Sequence, residues 1–208
     1  MSMQTPSKIV GVGRNYLDHA KELGNDVPKE PLIFLKPPSS IIGEGEPVVL
    51  PRVSSQVEFE GEIGLVIGTR LRNASEAEAR RGIRGIVAIN DVTARDLQKS
   101  DGQWTRAKGF DGFCPVGQEA PAPEDLDAIE LVTRVNGEVR QRARASEMAF
   151  NVVHLVAYIS GVMTLEPGDL IATGTPAGVG TLNPGDVVEV EVGGVSRVRN
   201  PVTAAPAP

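Results

Sequence analysis

The run Val57-Glu58-Phe59-Glu60-Gly61-Glu62-Ile63-Gly64-Leu65-Val66-Ile67-Gly68 constrains this chain more than any other segment. It is strand-like, and a strand sends successive side chains to opposite faces. Glu60 and Glu62 are therefore expected on one face, with Phe59 and Ile63 on the other. The segment runs on into Leu65, Val66 and Ile67, so the two carboxylates stand at the rim of an apolar strand. Two anions there are costly unless a cation or hydrogen-bond donors meet them. A second apolar strand, Gly85-Ile86-Val87-Ala88-Ile89-Asn90-Asp91, ends in a third carboxylate. Asp91 is well placed to complete an all-oxygen site for a hard divalent cation. Any one of these acids alone would read as a solvated surface charge; their shared setting points to a metal.

Composition bounds what such a site can belong to. A chain of 208 residues can bury a substantial core and reads as one domain, residues 1–208. With 40% hydrophobic residues, 23% charged residues and a net charge of -6, it is globular, and its acidity argues against nucleic acid or an anionic membrane as main partner. A small anionic substrate would need a metal, Lys or Arg at hand. The segment Met1 to Lys8 lacks the apolar stretch of a signal peptide, and the longest later apolar run, Val152 to Leu165, is broken by His154, Ser160 and Gly161. A cytoplasmic protein is expected. The single cysteine, Cys114, excludes an intramolecular disulfide and, between Phe113 and Pro115, reads as a packed core position and not a nucleophile.

Along the chain, Lys8 to Gly13 reads as a strand, followed by a short helix from Leu17 to Leu23 that Gly24-Asn25 would end. The proline-bounded runs Pro31 to Pro38 and Pro47 to Pro51 suit strand edges. Ser75-Glu76-Ala77-Glu78 matches a capping box, which predicts a helix toward Gly82. Asn136-Gly137 between two strand-like runs predicts a type I′ hairpin. A helix is expected from Ser146 to Val162, then strands at Gly168 to Gly174 and Gly185 to Val192, with Asn200 to Pro208 a mobile tail beyond a core of residues 9–192. Many short strands with few helices indicate a β-rich α+β domain.

Common catalytic motifs are mostly absent. Gly11-Val12-Gly13-Arg14-Asn15-Tyr16 has Tyr where a dinucleotide fingerprint needs its third Gly, and Gly174-Thr175-Pro176-Ala177-Gly178-Val179-Gly180 lacks the Lys-Ser/Thr pair of a P-loop. The latter segment is equally a tight turn or a backbone cradle for a carboxylate. Two histidines and one cysteine are too few for a nitrogen- and sulfur-ligated zinc site, whereas oxygen ligands favour magnesium or manganese. His19 and Glu22, three residues apart, share one face of a short helix, so they form either half of a general-base unit or an exposed helix pair. His154 reads as structural. Lys108, in Trp104 to Phe110, could bring an ammonium close to a developing oxyanion.

Six motifs occur together in an order that resembles the fumarylacetoacetate hydrolase family. They are Gly13-Arg14-Asn15-Tyr16 with His19 and Glu22, Phe34-Leu35-Lys36-Pro37, Glu60-Gly61-Glu62, Asn90 to Gln98, Lys108-Gly109-Phe110, and Thr173 to Gly180. The resemblance spans about Ile9 to Val192 and is closest to the short single-domain members. These include acylpyruvate hydrolases, oxaloacetate decarboxylases or tautomerases, and the homoprotocatechuate-pathway isomerase/decarboxylase. It implies a mixed β-sheet roll or sandwich, usually homodimeric, with Mg²⁺ or Mn²⁺ held by Glu60, Glu62 and Asp91. The fourth metal-binding acid and the N-terminal domain of fumarylacetoacetate hydrolase proper have no counterpart, which counts against that exact activity. Gly61, where some relatives carry a larger residue, is expected to leave the back of the site less filled. Glu58 is not among the implied ligands and serves as their internal control.

The resemblance also implies roles. A keto acid would chelate the metal where enolate charge develops. In a hydrolase, His19 paired with Glu22 would activate water and Lys108 would help hold the enolate, while Thr175, with Gly174, anchors the carboxylate. Arg14 and Gln98 would contact substrate, and the segment around His19, Gly24 and Asn25 could close as a lid. The leading expectation is hydrolysis of an acylpyruvate-like β-diketo acid. The alternatives are oxaloacetate decarboxylation or tautomerisation, isomerisation of a ring-cleavage dienedioate, and a non-enzymatic module that binds a metal or an organic acid.

Overall fold

Every residue of the strand Gly61–Ile67 is buried, and what its two faces pack against lays out the whole architecture, here in a computed structural model that describes residues 5–16 and 28–206. The predicted helix from Leu17 to Leu23, with His19, Glu22, Gly24 and Asn25, lies outside the described residues. Ile63, Leu65 and Ile67 pack in one cluster with Leu131, Val190, Val192 and Val198, and with Leu155, Val156 and Ile159. Val66, on the opposite face, joins Ile9, Val87, Ile89, Leu170, Ala172 and Cys114. Both faces of this strand are covered, which is why its sequence is nearly continuous in apolar residues.

The strand sits inside a six-stranded sheet of order Ala120–Pro121, Ile83–Asn90, Gly61–Ile67, Leu170–Ala172, Ile9–Gly13 and Leu32–Lys36. The pairing is antiparallel except where Ile9–Gly13 meets Leu170–Ala172. A five-stranded sheet, in the order Glu138–Arg144, Glu130–Val135, Val187–Val192, Ser196–Ala204 and Val48–Leu50, packs against it. Two smaller sheets complete the described strands: Gly180–Thr181, Val57–Phe59 and Thr93–Ala94, and the pair Ile41–Ile42 with Cys114–Pro115. The fold is thus β-rich α+β, a mixed-sheet sandwich of the expected kind. Among the described residues no helix is long and apolar enough to cross a membrane.

Local signals hold where they are self-contained. The helix Glu76–Gly82 carries the full capping box between Ser75 and Glu78. Asn136 and Gly137 take φ 54° and 84°, the positive pair that a type I′ turn demands.

Two expectations need correction. The helix predicted from Ser146 begins at Val152, because Asn151 accepts the His154 N–H as its cap and Phe150 N–H is held by Asn15 Oδ1 at 2.9 Å. The tail from Asn200 is not mobile through Ala204, since Ser196–Ala204 is a strand. It pairs antiparallel with Val187–Val192 and parallel with Val48–Leu50. Its inward residues, Ser196, Val198, Asn200 and Val202, alternate with more exposed ones, a period-two pattern that Pro201 and the alanines obscure.

Candidate metal and active site

The run from Val57 to Gly68 is not one strand. Val57–Phe59 pairs with Gly180–Thr181 and Thr93–Ala94, Gly61–Ile67 belongs to the six-stranded sheet, and the chain changes sheet at Glu60. Phe59 and Ile63 consequently lie in different core clusters and not on one shared face. The crossing is held by the neighbouring strand end. Glu60 N–H donates to Asn90 Oδ1 at 3.0 Å, and Asp91 N–H donates to Glu60 O at 2.8 Å. That tie brings the third carboxylate beside the first two.

Glu60, Glu62 and Asp91 are all buried, and one carboxylate oxygen from each lies within 4.8 Å of the others. Three convergent oxygen ligands in a dry setting fit a hard divalent cation. Buried cations surround them. Lys108 Nζ donates to Glu60 Oε2 at 2.7 Å and to Asp91 Oδ2 at 2.5 Å. Lys36 Nζ donates to Asp91 Oδ1 at 2.6 Å and to the Lys108 carbonyl at 2.5 Å. Arg95 spans Glu58 (2.8 Å), Glu60 (2.5 Å) and Gln98 Oε1 (2.6 Å). Four buried carboxylates thus face three buried cations. Burial, with Asp91 and Glu60 nearby, holds the Glu62 carboxyl well above the usual carboxylate range. The cluster is therefore short of positive charge at Glu62, which is where a divalent ion would relieve it.

A cleft opens over this cluster, lined by Arg14, Gln98 and Thr175 together with Glu60, Glu62 and Lys108. Its wall is aromatic. Lys108 Nζ sits 5.0 Å from the Phe34 ring centroid, and Phe34 meets Trp104 edge-on at 5.3 Å. These rings lie directly on the first strand because Gly11 and Gly13 lack side chains. A Cβ at either would come within 2.2 Å of Phe34 or 2.7 Å of Trp104. Arg14, at the lip, adopts φ 58°, an uncommon backbone state for a non-glycine residue.

The glycine-rich loop does cradle a carboxylate, and it is the protein's own. Gly174 N–H donates to Glu62 Oε2 at 2.7 Å. The Thr175 hydroxyl donates to Gly61 O at 2.8 Å and accepts from Gln141 Nε2 at 2.8 Å. The space behind Gly61 is not underfilled as expected: Thr133 Oγ1 occupies it, 1.9 Å from where a Cβ would be. Glu58 is likewise no independent control, since Arg95 couples it to Glu60.

Of the residues singled out in the sequence, Glu60, Glu62, Asp91, Lys108, Arg14, Gln98, Gly174 and Thr175 come together here, while His19 and Glu22 lie outside the described residues. His154 is not among the cleft residues and stacks between Phe150 and Tyr158. Cys114 is buried, its thiol pushed up to about 12 by burial. Sequence reasoning left Lys36, Arg95, Asn90, Asn15 and Gln141 without roles. A lysine inside the apolar run Leu32–Lys36 was a usable signal for the first of these. Asn15 ties the site strands to the helix approach through Thr173 O (2.8 Å) and Phe150 O (3.1 Å), a long-range role no local pattern announces.

Similarities to known proteins agree with this geometry. The chain is 44% identical over 199 residues to oxaloacetate decarboxylase, mitochondrial, of Dictyostelium discoideum, covering 92% of this chain and 91% of that protein. It is also 44% identical over 199 residues to oxaloacetate tautomerase FAHD1, mitochondrial, of Arabidopsis thaliana, covering 93% and 89%. The crystal structure of 2-hydroxyhepta-2,4-diene-1,7-dioate isomerase from Mycobacterium marinum matches with a TM-score of 0.89 at 48% identity, covering 98% of this chain and 77% of that one. With residues 8–203 matching the fumarylacetoacetate (FAA) hydrolase C-terminal family, the chain belongs to that family.

Proposed function

We propose that this chain is a Mg²⁺- or Mn²⁺-dependent enzyme that generates or moves an enolate in a small keto acid, with oxaloacetate decarboxylation or tautomerisation as its reaction. The observation that carries this reading is the convergence of Glu60, Glu62 and Asp91 beside the buried Lys108 in one cleft. The named relatives act, by their names, on oxaloacetate or a diene-dioate, which supports this chemistry over the acylpyruvate hydrolysis expected from sequence.

Glu60, Glu62 and Asp91 would hold the ion, which when bound supplies Lewis-acid polarisation of the keto oxygen. The chain's own groups do the rest. The Lys108 ammonium offers a donor to the developing oxyanion, preorganised by burial and by its two carboxylate partners. Arg95 holds Glu60 and Gln98 in place, and Arg14 and Gln98, which line the cleft, would meet the substrate carboxylates. In decarboxylation the bond to the leaving carboxylate breaks, its electron pair moves toward the keto oxygen, CO₂ departs and the carbon takes a proton. In tautomerisation only a proton moves, between that carbon and the oxygen. His19, which the sequence pairs with Glu22 and which lies outside the described residues, is the proton carrier in this reading. Neither reaction needs an attacking water, which hydrolysis does.

The test is to strip the protein of metal, reload it with Mg²⁺ or Mn²⁺, and assay oxaloacetate and acetylpyruvate side by side. CO₂ release and the ultraviolet signal of the enol are followed separately. Turnover of oxaloacetate by either readout is expected. Turnover of acetylpyruvate alone would return the assignment to hydrolysis, and no metal-dependent turnover of either would end the enzymatic reading.

A further inference from the structure

Gly61 separates two of the metal-type carboxylates, so the peptide groups on its two sides set where Glu60 and Glu62 can aim. Both are captured by one closed hydrogen-bonded ring. Gly61 N–H donates to Gln141 Oε1 at 3.0 Å, Gln141 Nε2 donates to Thr175 Oγ1 at 2.8 Å, and Thr175 Oγ1 donates back to Gly61 O at 2.8 Å. A second Gln141 hydrogen goes to Pro176 O at 2.8 Å, anchoring the same loop whose Gly174 N–H holds Glu62. Every member is buried, and the ring joins three parts of the chain: the site strand, the five-stranded sheet and the glycine-rich loop.

Resting on the metal-site reading above, we propose that Gln141 is a positioning residue for the cation. It presents Glu60 and Glu62 in a cation-ready arrangement by clamping the residue between them, with the Thr175 hydroxyl as its relay and not as a substrate anchor. The chemistry suits a carboxamide. A carboxamide accepts from the peptide N–H through its oxygen while its NH₂ group supplies two donors, used here on the Thr175 hydroxyl and the Pro176 carbonyl. Burial makes each lost partner costly, because the orphaned peptide N–H or C=O has no water to turn to. Neither side chain is a ligand, so their loss would act through the aim of the carboxylates.

Mn²⁺ affinity, read by electron paramagnetic resonance of the free ion, and melting temperature in chelator separate positioning from folding. Gln141→Leu and Thr175→Val are each expected to weaken Mn²⁺ binding roughly ten- to hundred-fold, the size typical of a lost outer-shell partner. Thr175→Ser, which keeps the hydroxyl, should bind as the parent does. The double variant should be little worse than the weaker single one, because both break one ring. Glu62→Gln is the reference: if it binds Mn²⁺ normally, the metal-site reading itself fails. If Glu62→Gln binds weakly while Gln141→Leu and Thr175→Val bind normally, the positioning role is overturned and the site reading stands. Fully additive losses, or a Thr175→Ser variant as weak as Thr175→Val, would also overturn it. So would collapse of the metal-free fold in both Gln141→Leu and Thr175→Val, since the ring would then be holding the fold and not the carboxylates.

Discussion

The ion pairs of the site and those of the surface have nearly the same lengths and opposite physics. Lys36–Asp91 spans 2.6 Å with both side chains at 0% exposure, whereas Arg84–Glu119 spans 2.8 Å with side chains 48% and 28% exposed. Arg142–Glu130 at 2.9 Å is of the second kind. Water solvates the surface partners whether or not they meet, so their pairing adds little. The buried partners have lost water altogether and depend on each other. An ion pair in a core is a poor way to gain stability, and a dry cluster of four carboxylates and three cations is better explained by chemistry that needs charge away from water.

Asp91 is where that comparison can be broken most directly, because it joins both buried lysines to the proposed metal. Asp91→Ala should cost roughly 3–5 kcal/mol in urea denaturation, the size expected when a buried charge loses its partner, and should abolish metal-dependent turnover. A loss under about 1 kcal/mol would mean that the lysines reach water and that the cluster behaves like the surface.

Glu62 gives an intermediate effect through pH. Its folded-state value lies above its ordinary value of 4.5, so the stability linked to its neutral form is whole below that pH and is lost as pH rises through the folded value. In chelator, the melting temperature should therefore decline from about pH 4.5 upward, and Glu62→Gln should flatten the decline. Excess Mg²⁺ should oppose it increasingly at higher pH, since the ion binds the deprotonated ligand. An unchanged decline in Glu62→Gln would remove Glu62 from this account.

The smallest effect belongs to the surface. A double-mutant cycle on Arg84 and Glu119 should return a coupling of about 0.2–1 kcal/mol that shrinks in high salt. A salt-insensitive coupling of several kcal/mol would erase the distinction between the two regions.

What the sequence determined by itself was whatever short-range physics encodes. The Ser75 capping box and the Asn136-Gly137 turn were legible because each signal is complete within a few residues, and Glu60, Glu62 and Asp91 were legible as acids at the ends of apolar strands although their convergence was not a local matter. The family motifs added the cleft residues Lys108, Arg14, Gln98 and Thr175. Tertiary structure alone decided the rest. The break at Glu60 depends on Asn90, 30 residues away, taking its N–H, and a strand-like run gives no local notice of that. The neutralisation of Asp91 depends on Lys36, 55 residues distant, and the clamp on Gly61 on Gln141, 80 residues distant. The tail became a strand because Val187–Val192 and Val48–Leu50 offered it two open edges. Local propensity tells a residue which conformation it can adopt; only the folded chain supplies the partner that a buried charge or peptide group must have once water is gone.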